Sequence, residues 1–236
     1  MPFLFGILVG PVGLYIRRRR DETPEYVEIE PARTPVRDML RAHPIEFLLA
    51  IGISAISNSS AYIILYIPTY AMKELHLPQA TGFTATLVGA VILGVASPFA
   101  GHFSDKIGRS GILTGMGWLF LLTTWPLFFL MVAFPSLATA VLAASWLSLV
   151  KAGYSGVLPS QLSELFPTQV RAIGVSLSFA IAVTIFGGFT PFVSTWLIAV
   201  TGNSLSPSFY IMLTAAFSII ALVFVGRRRY PRRVTA

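Results

Sequence analysis

The sequence predicts an all-α membrane protein with six membrane-spanning helices. Only 11% of its 236 residues are charged and 55% are hydrophobic, whereas a soluble domain carries about 25% charged residues. Several stretches of roughly 20 residues are nearly free of charge, which is long enough for a helix to cross a bilayer. An enzyme is a poor alternative, because the sequence shows no paired carboxylates, no histidine cluster and no nucleophile motif.

The first 43 residues are predicted to hold a partial span and a polar connector. Residues 1–16 are apolar, but as a helix they reach only about 22 Å, short of the roughly 30 Å hydrocarbon core. We therefore expect the end of a helix whose beginning is missing. A signal peptide is disfavoured because four arginines follow the apolar stretch and do not precede it. Residues 17–43 are expected to form a solvated connector, with a membrane-hugging segment around 36–42 as the alternative.

Residues 44–226 are predicted to form the six spans, followed by a basic tail at 227–236. A polar connector is expected at 161–171. Residues 101–109 are predicted to form a nine-residue loop between the second and third spans, made tight by Gly101 and Gly108. The predicted spans are 47–72, 79–100, 112–133, 138–159, 172–200 and 208–225.

The distribution of basic residues predicts the orientation of the spans. Segments expected on one side hold fifteen of the seventeen lysines and arginines, the loops on the other side hold only Lys73, and Lys151 lies within a span. By the positive-inside rule, both ends of the six-helix unit are therefore cytoplasmic. The lipid bilayer, and not a nucleic acid, is the partner that explains the net charge of +7.

Glycine and proline interrupt the second and fifth spans at similar places. Pro98 lies in the second span, and Gly187, Gly188 and Pro191 lie in the fifth. Each span is the middle helix of a three-helix group, so these positions predict helix flexing within two inverted three-helix repeats, as in secondary transporters. The alternative is that glycine and proline are simply common in membrane helices.

The 101–109 segment resembles the signature loop of the major facilitator superfamily. That loop joins the second and third helices of family members, and a weaker copy joins the eighth and ninth. Ser110 departs from the basic residue often found there, as expected of the second copy. The residues that match are Gly101, Asp105, Lys106, Gly108 and Arg109.

A second motif resembles the metabolite:proton symporter branch of this superfamily. Members of the branch include citrate, α-ketoglutarate, shikimate and proline/betaine permeases. Segments 66–70 and 186–191 are similar to the same branch. The matching residues of the second motif are Pro159, Glu164, Leu165, Phe166, Pro167, Thr168, Arg171 and Gly174.

The resemblance is to the C-terminal half of the major facilitator fold. It implies that 1–16 is the end of helix six, 17–43 the central loop, and the six spans helices seven to twelve. Family members hold substrate between two six-helix halves, so we expect a truncated secondary transporter whose N-terminal half is missing. The implied activity is proton-coupled symport of a small organic acid or zwitterion in the bacterial inner membrane. The alternative is an inactive gene fragment.

Lys151 is the strongest candidate for contact with a substrate. A charge within a membrane span costs a few kcal/mol unless it faces a cavity or a partner, so its ammonium is predicted to attract a carboxylate. The alternative is a side chain that snorkels to the membrane interface. Asn58, Tyr62 and Tyr66 are predicted to line the pathway, with interhelical packing as the alternative, and Tyr154 is a weaker candidate.

The charged residues near the predicted loop are candidates for gating. Asp105 and Arg109 are expected to make charge-assisted contacts across the cytoplasmic mouth, with Glu164 and Arg171 completing the network. An ordinary solvated turn is the alternative. No carboxylate lies inside a span to carry a proton, and the three histidines are too scattered for a metal site, so neither a metal nor a cofactor is expected.

Overall fold

The computed structural model describes residue 15 and residues 35–229, and the described part is helical throughout. Most of the predicted partial span at 1–16, most of the 17–43 connector and the tail beyond 229 lie outside these residues. A π-helical turn, Val183–Gly188, follows the helix that ends at Ala182 and precedes the helix that begins at Thr190. The helices are α1 (Pro35–Ala42), α2 (Pro44–Lys73), α3 (Gln79–Ile107), α4 (Arg109–Ala133), α5 (Leu137–Ser163), α6 (Arg171–Ala182), α7 (Thr190–Thr201) and α8 (Ser206–Arg229).

Six segments of the described chain are long and apolar enough to cross a membrane. Five of them lie within α2, α3, α4, α5 and α8. The remaining one, Arg171–Thr201, combines α6, the π-helical turn and α7, and is called the fifth span below. The prediction of an all-α membrane protein with six spans is confirmed.

The structure has a short helix, α1, where the sequence predicted a solvated connector. Pro35 begins it, a position that suits proline because the first N–H groups of a helix need no intrahelical acceptor. Met39 is completely buried and joins the main hydrophobic core, whereas Arg37 and Arg41 are exposed. Helix α1 therefore packs against the bundle through one face.

The predicted nine-residue loop at 101–109 is wrong. Helix α3 continues to Ile107, α4 begins at Arg109, and Gly108 alone separates them. Gly108 has a φ of +100°, a conformation that glycine adopts without strain, and its N–H donates to the Ser104 carbonyl oxygen at 2.9 Å. Hydropathy marks where the apolar stretch ends, but the helix extends beyond it because its backbone hydrogen bonds do not depend on apolar side chains.

Gly101 has a different role from the one predicted. It lies within α3, where its backbone packs against Gly156 of α5. A Cβ atom on Gly156 would lie 2.3 Å from the Ser97 carbonyl oxygen and 2.9 Å from the Gly101 nitrogen. Small residues allow two membrane helices to approach this closely, so these two glycines set the α3–α5 separation.

Helices α2 and α5 are the centre of the bundle. In each, 61% of the most apolar window is buried, against 11% in α3 and 22% in the fifth span. Helix α3 packs mainly against α5, and the fifth span packs against α2. If the first, second and third spans are matched with the fourth, fifth and sixth, the contact between the second and fourth spans corresponds to the contact between the fifth and first spans. This correspondence agrees with two inverted three-helix repeats.

Substitution of Gly156 by alanine should destabilise the bundle, because the added methyl group meets α3 backbone atoms that cannot move aside. We expect a loss of about 1–3 kcal/mol and a lower Tm in detergent, measured by circular dichroism. Gly115 is the matched control, since no atom lies within 4 Å of a Cβ built on it. Gly115→Ala should leave stability unchanged or raise it by up to about 1 kcal/mol. Equal Tm values for the two variants would contradict the close α3–α5 contact.

Candidate functional site

The Lys151 side chain joins the two central helices. Its Nζ atom donates to the Ser57 carbonyl oxygen of α2 at 2.8 Å and lies 3.4 Å from Ser57 Oγ. The side chain is 8% exposed. Lys151 thus reaches from α5 to the backbone of α2 within the protein, at the level of the polar residues of that helix.

Lys151 lies further from the end of its helix than its sequence position suggested. Helix α5 ends at Ser163, not near Pro159 as predicted, so twelve residues, or roughly 18 Å of helix, separate Lys151 from that end. Because Nζ bonds to Ser57 of α2 inside the protein and the side chain is 8% exposed, the snorkelling interpretation does not describe this conformation.

The charge of Lys151 has no recorded counter-ion in the described part of the chain. Its recorded hydrogen-bond partners both belong to Ser57. A buried charge without an opposite charge costs several kcal/mol. The site therefore has the electrostatic property of a receptor for a small anion. The carboxylates whose side chains the structure describes lie near helix ends, at Glu46, Glu74 and Glu164.

The polar residues at 57–60 on α2 all find partners in the protein. Asn58 donates through Nδ2 to the Ser54 carbonyl oxygen at 2.9 Å, and Ser60 Oγ donates to the Ser57 carbonyl oxygen at 3.1 Å. Ser59 Oγ lies 2.7 Å from Thr214 Oγ1 of α8. Asn58 is 6% exposed, and its role as a substrate contact stays a prediction.

Ser218 of α8 is a structural residue that the sequence did not reveal. Its Oγ donates to the Gly52 carbonyl oxygen at 2.7 Å and accepts from the Ile56 N–H at 3.1 Å. These two groups are the pair that an i to i−4 helical bond would join. Thr214 and Ser218 lie one helical turn apart in the sequence, which indicates a polar face on α8. This spacing does not identify the helix against which that face packs.

Tyr62 borders an open cavity between α2 and the fifth span. The cavity has a volume of about 330 Å³ and is also lined by Val183, Thr184, Gly188 and Phe189. The half-buried Tyr62 ring packs over Gly187 so closely that a Cβ atom there would lie 2.8 Å from it. Tyr62 is therefore a predicted pathway residue that lies at a cavity.

Tyr66 and Tyr154 lie in packed surroundings. Tyr66 is 6% exposed, and its hydroxyl lies 3.0 Å from Thr195 Oγ1 of α7. Tyr154 is completely buried, with its ring centroid 6.3 Å from that of Phe120. Both tyrosines serve packing in this conformation, and their role in substrate contact stays a prediction.

A π-helical turn occupies the predicted interruption of the fifth span. Pro191 has no N–H, so the Gly187 carbonyl oxygen lacks its helical donor. The carbonyl oxygen of the preceding residue, Phe186, accepts hydrogen bonds from side chains, namely the Thr190 hydroxyl at 2.5 Å and the Tyr210 hydroxyl at 3.3 Å. Turns of this kind are frequent at functional sites. Helix α3, in contrast, continues through Pro98 without a break.

The predicted gating residues occupy the predicted cytoplasmic end of the bundle. Arg109, at the start of α4, forms an ion pair with Glu164, just after α5. The pair joins neighbouring helices of one unit and does not, in this conformation, extend across a mouth. The side chains are 32% and 37% exposed, respectively, so the pair contributes about 1 kcal/mol or less.

The remaining gating candidates are distributed around this pair. Arg171 Nε donates to the Phe166 carbonyl oxygen at 3.4 Å and supports the connector between α5 and α6. Lys106 is exposed. Asp105 lies on the last turn of α3, and its side chain is outside the described part of the structure. Ser110, the residue that departs from the family signature, donates to Gln161 Oε1 of α5 at 3.2 Å.

The chain is similar to known transport proteins. The family profile described as sugar (and other) transporter matches residues 16–227. The chain is 32% identical over 231 residues to a citrate-proton symporter of Klebsiella pneumoniae, covering 97% of this chain and 52% of that protein. No solved structure matches significantly.

Two further relatives are described as transporters of other compounds. An ectoine/proline transporter of Corynebacterium glutamicum is 30% identical over 240 residues, covering 95% of this chain and 47% of that protein. A protein of Staphylococcus aureus described as a putative proline/betaine transporter is 30% identical over 234 residues, with 95% and 49% coverage. The chain spans about half the length of the curated relatives it matches.

Replacement of Lys151 by methionine tests whether the lysine serves stability. Methionine has a similar length but no charge, so the variant loses the two hydrogen bonds to Ser57 and removes the buried charge. We expect a Tm equal to or above that of the unmodified chain in detergent. Ser218→Ala is the comparison, because it leaves polar groups of α2 without their partner and should cost about 1–2 kcal/mol. A lower Tm for Lys151→Met than for Ser218→Ala would assign Lys151 a structural role.

Proposed function

The chain belongs to the sugar (and other) transporter family, in the metabolite:proton symporter branch of the major facilitator superfamily, and on this basis we propose that it forms one six-helix half of a secondary transporter. The transporter carries a small organic acid or zwitterion together with protons. Substrate binds between this half and a second six-helix unit, and the two halves rock to expose it to alternate sides.

The position of Lys151 is the observation that carries this proposal. Citrate, proline, ectoine and betaine each contain a carboxylate, although their remaining groups differ. One buried ammonium in the centre of the bundle suits the feature that these substrates share. A charge-assisted hydrogen bond to a carboxylate is worth more than one between neutral groups, and here it forms where water is scarce.

The surroundings of Lys151 supply the rest of the binding region. Ser57 and Asn58 lie on neighbouring positions of α2, and Tyr62 follows Asn58 by one helical turn at the open cavity. Because Tyr62 packs against Gly187, a movement of the π-helical turn would change the shape of this cavity. Gly187, Gly188 and Pro191 are therefore proposed as the flexing positions, and Pro98 as a weaker one.

The basic end of the bundle is proposed to face the cytoplasm of a bacterial cell, with the six helices in the plasma membrane. The Arg109–Glu164 pair holds the ends of α4 and α5 together at that face. We infer that this contact stabilises the closed cytoplasmic side and is lost when the transporter opens inward. Asp105 and Arg171 act in the same gate. For Asp105 this assignment comes only from the resemblance to the family signature.

Lys151→Gln should weaken substrate binding, because the amide keeps a hydrogen-bond donor but loses the charge. Loss of one charge-assisted bond predicts an affinity at least about tenfold lower. The measurement is counterflow of labelled citrate, proline and glycine betaine in liposomes that contain the chain with the six-helix unit that completes it. Lys73→Gln removes an exposed charge and is the matched control. Unchanged uptake of every tested carboxylate by Lys151→Gln would contradict the proposed site.

Glu164→Gln should open the cytoplasmic side, because the Arg109–Glu164 ion pair is lost. The chain has no native cysteine, so a single cysteine at Asn58 reports access to the centre of the bundle. We expect its reaction with a membrane-impermeant thiol reagent, added from the cytoplasmic side, to become up to about fivefold faster. Lys73→Gln, at an exposed lysine outside the proposed gate, should leave the rate unchanged in the same background. A slower rate in Glu164→Gln would argue that the pair belongs to the open state.

A further inference from the structure

We propose that Lys151 is also the group that carries the coupled proton, so that the proton and the substrate carboxylate bind at one amine. This inference rests on the proposed function and deepens it. No carboxylate lies inside a predicted span to carry the proton. The structure points to an amine that can take up and release a proton in its place.

The contact with Ser57 is compatible with both protonation states of Lys151. A carbonyl oxygen accepts a hydrogen bond from a neutral amine as well as from an ammonium, because both carry N–H groups. The distance of 2.8 Å from Nζ to the carbonyl oxygen is therefore compatible with a neutral lysine. Loss of the proton leaves the α2–α5 contact in place.

No other ionisable group is recorded in contact with Nζ in the described chain. The nearest on α5 along the chain is Tyr154, whose ring packs towards Phe120. The other helices packed against α5 also carry ionisable residues, and apart from three tyrosines of α2 these lie towards the helix ends. In the described chain the tyrosines are Tyr62, Tyr66 and Tyr70, and the others are Glu46 and Lys73 on α2, His102, Asp105 and Lys106 on α3, Arg109 on α4, and Arg171 on α6.

A buried charge without a partner is costly, and two changes remove this cost. Either the amine releases its proton to water, or a carboxylate binds beside the ammonium. In the empty transporter the amine is neutral and in contact with Ser57. In the loaded transporter it has taken up one proton and is paired with the carboxylate. The ammonium and the carboxylate neutralise each other, and no covalent bond forms or breaks apart from the N–H bond.

This arrangement couples one proton to one carboxylate. A site that has bound the proton without the substrate carries an unpaired charge, and a site that has bound the carboxylate without the proton carries the opposite one. Both half-loaded forms are unfavourable in the centre of the membrane. The proton enters with the substrate on one side, and both leave on the other when the halves rock.

Linkage gives the sign of the pH effect. Substrate binds to the protonated amine, so its affinity is highest where the amine is protonated and falls as the pH rises through the titration of that amine. Beyond that point the affinity falls about tenfold per pH unit. An arginine at this position stays charged at every accessible pH, so its affinity for a carboxylate cannot depend on such a titration.

The experiment compares the unmodified transporter with Lys151→Arg in nanodiscs, with glycine betaine and citrate as probes. Between about pH 8 and about pH 9.5 the carboxylates of both probes stay ionised. The unmodified protein should lose affinity as the pH rises and, in weakly buffered solution near the upper end of this range, take up one proton per bound substrate, measured with a pH dye. Lys151→Arg should bind with a pH-independent affinity and take up no proton. Proton uptake by Lys151→Arg equal to that of the unmodified protein would overturn the proposal.

A second variant covers the case in which Lys151→Arg does not fold or bind. Lys151→Cys provides the only thiol of the chain, which can be converted to a mixed disulfide with either an aminoethyl or a trimethylammonioethyl group. The titratable amine should restore the pH dependence and the permanent cation should not. Identical pH profiles for the two adducts would contradict the proposal.

The outcomes separate this inference from the proposed function. If the unmodified transporter binds neither probe nor any other carboxylate at any pH, the proposed substrate class fails. If it binds and transports a carboxylate but its affinity is constant over the range, the proton carrier is another group, and only the present inference fails.

Discussion

The contact between the Lys151 amine and the Ser57 carbonyl oxygen is the interaction on which the proposed functional centre depends. It joins α2 and α5, the two most buried spans, at about the middle of their length. Hydrocarbon offers no hydrogen-bond partners, so a charged side chain at this depth must find them in the protein or in a bound ligand. Ser57 supplies a partner for the N–H groups but not for the charge, which leaves the site suited to a small anion.

The surrounding bundle keeps this site rigid through two kinds of close helix contact. On one side, Gly156 and Gly101 allow α5 and α3 to touch backbone to backbone. On the other side, hydroxyl groups of α8 bond to α2, Thr214 at Ser59 and Ser218 at the Gly52 carbonyl oxygen. Helices α2 and α5 are thus fixed by short side chains, and the fifth span is the segment left with an irregular backbone.

The irregular backbone of the fifth span lies beside the open cavity. The π-helical turn lines this cavity together with Tyr62, so a shift in the helical register of the fifth span would change the shape of the cavity. The Arg109–Glu164 pair lies at the far end of the bundle, beside the single-residue turn at Gly108. The centre and the end of the unit are therefore connected through α5, which carries Lys151 and leads directly to Glu164.

The sequence by itself determined the fold class, the number of spans, the asymmetry of basic charge and the choice of Lys151 as the exceptional residue. Hydropathy and charge are local properties, and the bilayer acts on them segment by segment, so one sequence is sufficient to recognise them. Glycine and proline also marked the interruption of the fifth span, because their effects on the backbone are local.

Only the tertiary structure decided which groups meet. The 101–109 segment became helix with a one-residue turn, since helical hydrogen bonding does not stop where apolar residues stop. Gly101 proved to be a packing residue because its neighbour, Gly156, is distant in sequence. The partners of Lys151, Ser59 and Arg109 come from other helices, and Ser218 escaped prediction entirely. Such pairings depend on how helices cross in space, which the residues of a single helix do not encode.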